Sequence, residues 1–179
     1  MKKEYSLERL DLRALAQAAD TVSGHAAVAH FPRLVEESAP GGSLQHEVRW
    51  KAVGETRAVT GGTDQIWLHL EAEATLAQTC QRCLAHVDVG LEVHRSYRFV
   101  RDEATAERED DESEEDVLVL SREFNLMELI EDELLMALPV VPRHEVCPQE
   151  LPMSLEDDEF RAAEAEKPNP FAALAKLKG

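Results

Sequence analysis

Residues 64–76 read DQIWLHLEAEATL, and their spacing decides the fold class. Ile66, Leu68, Leu70, Ala72, Ala74 and Leu76 keep an even-numbered phase, with His69, Glu71 and Glu73 between them. Successive side chains of a strand point to opposite faces, so this run predicts a strand with one buried face and one wet face. No helix could place all six apolar residues on one side.

The same period recurs on either flank. In SLQHEVRWKAVGE (43–55), Leu44, Val48, Trp50 and Ala52 share a face opposite Glu47, Arg49 and Lys51. In HVDVGLEVHRSYRFV (86–100), Val87, Val89, Leu91, Val93, Tyr97 and Phe99 hold an odd-numbered phase. The tight-turn sequence VTGGTD (59–64) joins the first two runs, so the expectation is an antiparallel meander of three or more strands. DVLVL (116–120) reads as one more short strand.

Helical periodicity appears at both ends of this block. SLERLDLRALAQAADTVSG (6–24) spaces Leu7, Leu10, Ala14, Leu15 and Ala18 at three and four residues, and Ser23-Gly24 marks a helix already ended. AVAHFPRLVEE (27–37) reads as a strand that Pro32 confines to a sheet edge, and SAPGG (38–42) as a loop. In NLMELIEDELLMALPVVP (125–142), Asn125 caps a helix with Glu128 at its third position. Leu126, Leu129, Ile130, Leu134, Ala137 and Leu138 form its apolar stripe, and Pro139 and Pro142 stop it. Glu131, Asp132 and Glu133 read as solvated carboxylates on its wet side.

The expected fold is therefore α+β: a mostly antiparallel sheet with a packed amphipathic helix, an acidic flexible loop and a short C-terminal helix. Residues 1–149 would form one domain and 150–179 a polar tail. In that tail, Asn169-Pro170 starts about two helical turns from which Phe171, Leu174 and Leu177 project on one side.

The net charge of −17 is unevenly spread over the 179 residues. Residues 1–101 carry 13 acidic and 12 basic groups, whereas DEATAEREDDESEED (102–116) carries ten acids and one arginine. Charge that dense favours an open, hydrated chain. The rest of the surface is not excluded from anionic partners. No apolar run approaches the ~20 residues of a spanning helix, so no membrane span is expected. The opening MKKEYSLERLDLRAL has no apolar signal segment, and three cysteines do not make a disulfide framework. A cytoplasmic chain is the expectation.

Chemistry concentrates in QTCQRCLAHVD (78–88). A Cys-x-x-Cys pair serves redox enzymes when it opens a helix after a parallel strand. Cys80 and Cys83 fall instead between two alternating strands, at a hairpin tip, which argues against dithiol catalysis. Two thiolates so spaced suit half of a tetrahedral zinc site, and His144 and Cys147 supply a second half, H-x-x-C, if the long helix returns its end to the tip. His86 is a further donor, and ordinary thiols beside a surface histidine remain the alternative. One structural zinc is the candidate cofactor.

HRSYRFVR (94–101) combines Arg95, Arg98 and Arg101 with Tyr97 and Phe99, residue types that bind phosphates and stack on bases. The competing reading is a core strand with solvated charge. No nucleophilic or acid–base constellation, phosphate loop or dinucleotide fingerprint occurs, so no enzyme is expected.

CQRCL after a strand, FNLMELIEDELLMALPVVPRHEVC, and a terminal EKPNPFAALAKLK together resemble the bacterial YceD family. The resemblance implies a non-enzymatic factor supporting synthesis, processing or stability of 23S ribosomal RNA. It also implies metal or nucleic-acid binding through Cys80, Cys83 and Cys147, and makes Asp132, Glu133, Leu138, Pro139, Pro142, Asn169, Pro170 and Phe171 signature positions. The partner expected on this reading is a basic ribosomal protein or a large-subunit maturation factor, met by Phe171, Leu174 and Leu177. The alternative is a zinc-stabilised RNA-binding module.

Overall fold

A computed structural model describes residues 5–149, 157, 159 and 160. The chain divides into two compact units, Met1–Glu145 and Val146–Gly179. In the second unit, Glu159 and Phe160 are helical. The expected C-terminal helix, with Phe171, Leu174 and Leu177, lies outside the described residues.

The first unit is α+β. Its five strands are β1 (Thr21–Ala27), β2 (Glu47–Arg57), β3 (Gln65–Thr79), β4 (His86–Val100) and β5 (Asp116–Val119), in that order across one sheet. Pairing is antiparallel from β1 to β4, and β5 runs parallel to β4. The register keeps the alternating apolar residues together on one face: Ala52 faces Leu70, Leu68 faces Tyr97, and Ala72 faces Val93. Each of these residues is buried on one face of the sheet.

Four α-helices accompany the sheet: α1 (Leu12–Gln17), α2 (Pro32–Glu37), α3 (Glu103–Asp110) and α4 (Leu126–Met136). Leu12 and Leu15 of α1, Leu34 of α2, and Leu126, Ile130 and Leu134 of α4 join the strand residues in one core. Full burial of each such leucine or isoleucine contributes about 2 kcal/mol. Gly54 lets α1 lie against β2: a Cβ there would come within 2.7 Å of the Ala16 nitrogen.

Four local expectations are corrected. The first helix is shorter than its periodicity, because Ala19 adopts a left-handed conformation (φ 47°) and turns the chain into β1 at Thr21. Segment 27–37 is not an edge strand: after a short 3-10 turn at Val28–His30, Pro32 opens α2, where its missing N–H costs nothing.

Glu131 and Glu133 are not solvated; they are 6% and 5% exposed. The Glu131 carboxylate accepts the backbone N–H of Arg33 at 2.7 Å and the Arg33 Nε at 3.1 Å, while Glu133 lies 3.4 Å from the Arg95 Nε. An aligned guanidinium and a helix N-terminus supply what water would otherwise give.

The acidic run is not an open loop either. Asp102 accepts from the Thr105 N–H to cap α3, and the run ends by entering β5. Arg98 organises it. This guanidinium, 7% exposed, binds Glu115 at 2.9 Å, Glu109 at 2.6 Å and the Ser113 hydroxyl at 2.8 Å. One buried cation therefore draws two carboxylates of the run onto the sheet, where Ala106 and Val117 bury beside it.

Candidate metal centre

Strands β3 and β4 are 15 residues each and outrun β2, whose pairing with β3 reaches only Arg49 opposite Glu73. Beyond that pair, Ala74–Thr79 and His86–Leu91 form a two-stranded arm. The loop after α2 braces the arm, with Ala39 donating its N–H to the Ala77 carbonyl at 2.7 Å. The cysteines occupy the turn at the arm's tip.

This turn is a thiolate knuckle. The Cys80 N–H donates to the Ala85 carbonyl, and the Leu84 N–H donates back to the Cys80 carbonyl, each at 2.9 Å. Leu84 takes the left-handed conformation (φ 60°) that glycine usually fills in such turns. The knuckle therefore forms without the glycine that its sequence lacks.

The chain after α4 does return to this tip. The Gln81 N–H donates to the Pro142 carbonyl at 2.8 Å, and Arg82 Nη2 donates to the carbonyls of His144 at 3.0 Å and Glu145 at 3.2 Å. These bonds deliver His144 to the cysteines: its Nδ1 lies 3.4 Å from the Cys83 sulfur, and its N–H donates to the Cys80 sulfur at 3.5 Å. The ligand atoms of Cys80, Cys83 and His144 all lie within 4.8 Å of one another. Tetrahedral zinc with sulfur at about 2.3 Å needs donors about 3.8 Å apart, so this spacing fits.

Electrostatics favour the thiolate. Burial pushes the Cys80 thiol up, but N–H groups of Cys83, His144 and Arg82 directed at the sulfur outweigh it and lower the pKa to about 5. Cys147 is the second residue of the second unit, tethered three residues beyond His144 by the H-x-x-C spacing. His86, the other nearby histidine, is exposed at the base of the turn opposite Thr79 and is not one of the clustered donors.

Arg82 and Gln81 were not singled out by sequence reasoning, although both position the site through the backbone of 142–145. Pro142, which follows the end of α4 and presents a carbonyl to Gln81, was the available signal. The centre can hold a metal.

The arginine–aromatic set on β4 is split by the sheet. Tyr97 and Phe99 are buried in the core, Phe99 packing edge-on against Phe124 at 5.4 Å. Burial, followed by the Glu133 carboxylate beside it, raises the Tyr97 pKa well above the usual phenol range. Arg98 points to the opposite face into its acidic cage, Arg95 meets Glu133, and Arg101 is exposed and paired with Asp102 at 2.7 Å. Only Arg95 and Arg101 of the five present exposed side chains. Among the described residues, no helix is long and apolar enough to cross a membrane.

Comparison with known proteins yields two findings. The family described as "Large ribosomal RNA subunit accumulation protein YceD" matches residues 68–178. A protein of that same description from Haemophilus influenzae is 39% identical over 107 residues, which cover 55% of this chain and 58% of the relative. The chain thus spans little more than half the length of that relative. No solved structure matches.

Proposed function

We propose, from the premise that this chain belongs to the YceD family, that it is a non-enzymatic cytoplasmic factor supporting accumulation of large-subunit ribosomal RNA. The observation carrying this reading is the family match over 68–178, which takes in both halves of the metal centre and the terminal KPNPFAALAKLK motif. Its effect is on synthesis, processing or stability of 23S ribosomal RNA, exerted through a basic ribosomal protein or a maturation factor. The chain's acidity complements such a partner, and Phe171, Leu174 and Leu177 supply an apolar anchor.

Crosslinking of the full chain in cells, with mass spectrometry scored for ribosomal proteins and for RNA, tests this. Abundant crosslinks to large-subunit proteins that vanish on deletion of 168–179 are expected. Unchanged crosslinking after that deletion overturns the anchoring role. Normal 23S levels in cells lacking the gene overturn the reading as a whole.

The second reading, a zinc-stabilised module, is favoured by the convergence of Cys80, Cys83 and His144. The H-x-x-C spacing makes Cys147 the candidate fourth ligand, and a metal held by Cys80, Cys83 and His144 ties the segment after α4 to the β3–β4 arm. Its role is to hold that end of the sheet together.

A further inference from the structure

The opposite end of the sheet is chemically unlike the rest of this acidic chain. There, about 45 Å along β3 and β4 from the cysteine knuckle, two clefts of ≈ 520 and ≈ 530 Å³ open side by side. They share Arg13, Arg101 and Leu120, so they form one groove; Arg122 lines one end and Arg108 the other. All four arginines are exposed.

One exposed carboxylate, Asp64, lines the groove, and three others around it are engaged elsewhere. Asp11 accepts the Ala14 N–H to cap α1, Asp102 caps α3, and Glu109 is bound to buried Arg98. Arg13 and Arg122 have no ion-pair partner among the described residues. Arg101 and Arg108 pair only with their sequence neighbours Asp102 and Glu109, in solvent-exposed contacts. Such contacts are weak and readily exchanged for a phosphate.

The geometry points to this groove as a contact site for the phosphodiester backbone of an RNA strand. Four arginines line one trench, and each guanidinium fork is able to make two parallel hydrogen bonds to a phosphate. No exposed aromatic ring lies in the groove, since its Phe99 belongs to the core, so contact is with the backbone and not with base faces. A chain of net charge −17 gains no long-range attraction for RNA, which makes such a site local and salt-sensitive. The choice of RNA over an acidic peptide rests on the ribosomal-RNA role proposed above.

The test is fluorescence anisotropy of a labelled single-stranded RNA with the full chain across a salt series. Arg13→Gln/Arg122→Gln and Arg101→Gln/Arg108→Gln variants are compared with a Lys51→Gln control on the open sheet face. Each double variant should bind about tenfold more weakly at low salt and lower the salt slope by about 0.7 per arginine removed, with unchanged thermal unfolding. The control should match the parent. Absence of RNA binding by the parent, binding by both double variants as tight as the parent's, or preference for polyglutamate over RNA each overturns the groove assignment. None of these results alters 23S levels or tail-dependent crosslinking, so the two proposals fail separately.

Discussion

Glu131 on α4 closes the N-terminus of α2 by accepting the backbone N–H of Arg33 at 2.7 Å, with the Leu34 N–H at 3.3 Å on the same oxygen. The two residues are almost a hundred positions apart, yet the contact works as a helix cap works. Arg33 completes it by reaching back to Glu131 and, through Nη1, to Asp132. Replacing Glu131 by alanine would leave buried N–H groups without acceptors. Urea unfolding of Glu131→Ala should show a loss of about 3 kcal/mol, and Glu131→Gln, which keeps an acceptor, about half that. Equal stability of the alanine variant and the parent would discount the cap.

Arg98 is the counterpart on the other face of the sheet. It is buried and bound to Glu109 and Glu115, which are 32% and 26% exposed. Arg98→Met should destabilise by about 3 kcal/mol, because two carboxylates lose their cation. Hydrogen exchange offers the sharper readout: protection should be lost first across 103–119 while β2 and β3 keep theirs. Uniform loss across the sheet would show that Arg98 does not specifically hold the acidic segment.

For the metal centre, elemental analysis of the purified full chain should find about one zinc per chain. Cys83→Ser and His144→Ala should each lower occupancy, and a chelator should lower the melting temperature of the parent but not of these variants. A metal-free parent, indifferent to chelator and to added zinc, would leave the cluster as hydrogen-bonded thiols.

Glu55 contributes to the acid response, alongside Asp102 and Glu109, whose carboxyls are also held below their usual range by hydrogen bonds. The hydrogen bond from Arg57, then that from His69 at 2.8 Å, holds the Glu55 pKa at about 2 against an ordinary 4.5. The folded chain takes up this proton less readily than the unfolded chain, so protonation favours unfolding. The contribution is complete above pH 4.5 and is lost as pH falls from 4.5 through about 2. Carboxyl-carbon NMR should give Glu55 the low midpoint, and Glu55→Gln should flatten the stability profile in that window. A midpoint near 4.5 would refute it.

How far the sequence could be read depended on whether a residue's role was local. The phase of Ile66 to Leu76 survives in the fold because alternation is a property of one strand's geometry, and a register slip would expose every apolar side chain of the run. Asn125 was legible for the same reason: it accepts from the N–H groups of Met127 and Glu128, two and three residues on. β1 was not, because TVSGHAA has little apolar content and earns its place only by pairing with β2. Pro32 suited either an edge strand or a helix start, and a carboxylate from α4 decided between them.

The metal centre divides along the same line. The two half-sites, C-x-x-C and H-x-x-C, were visible as spacings. Their meeting depended on Gln81 and Arg82 binding the backbone of 142–145, contacts with no sequence period. On β4, alternation already put Tyr97 and Phe99 on the face opposite Arg98, although composition alone made them look like one surface.

By itself, then, the sequence determined the strand phases, the amphipathic α4, the hairpin position of the cysteines and the family signature, all carried by neighbours along the chain. Tertiary structure alone decided that Glu131 and Arg98 are buried, that the acidic run folds, and that four arginines far apart in sequence line one groove. Those outcomes come from charges meeting across the fold, where the energy of a buried ion depends on partners that no local pattern records.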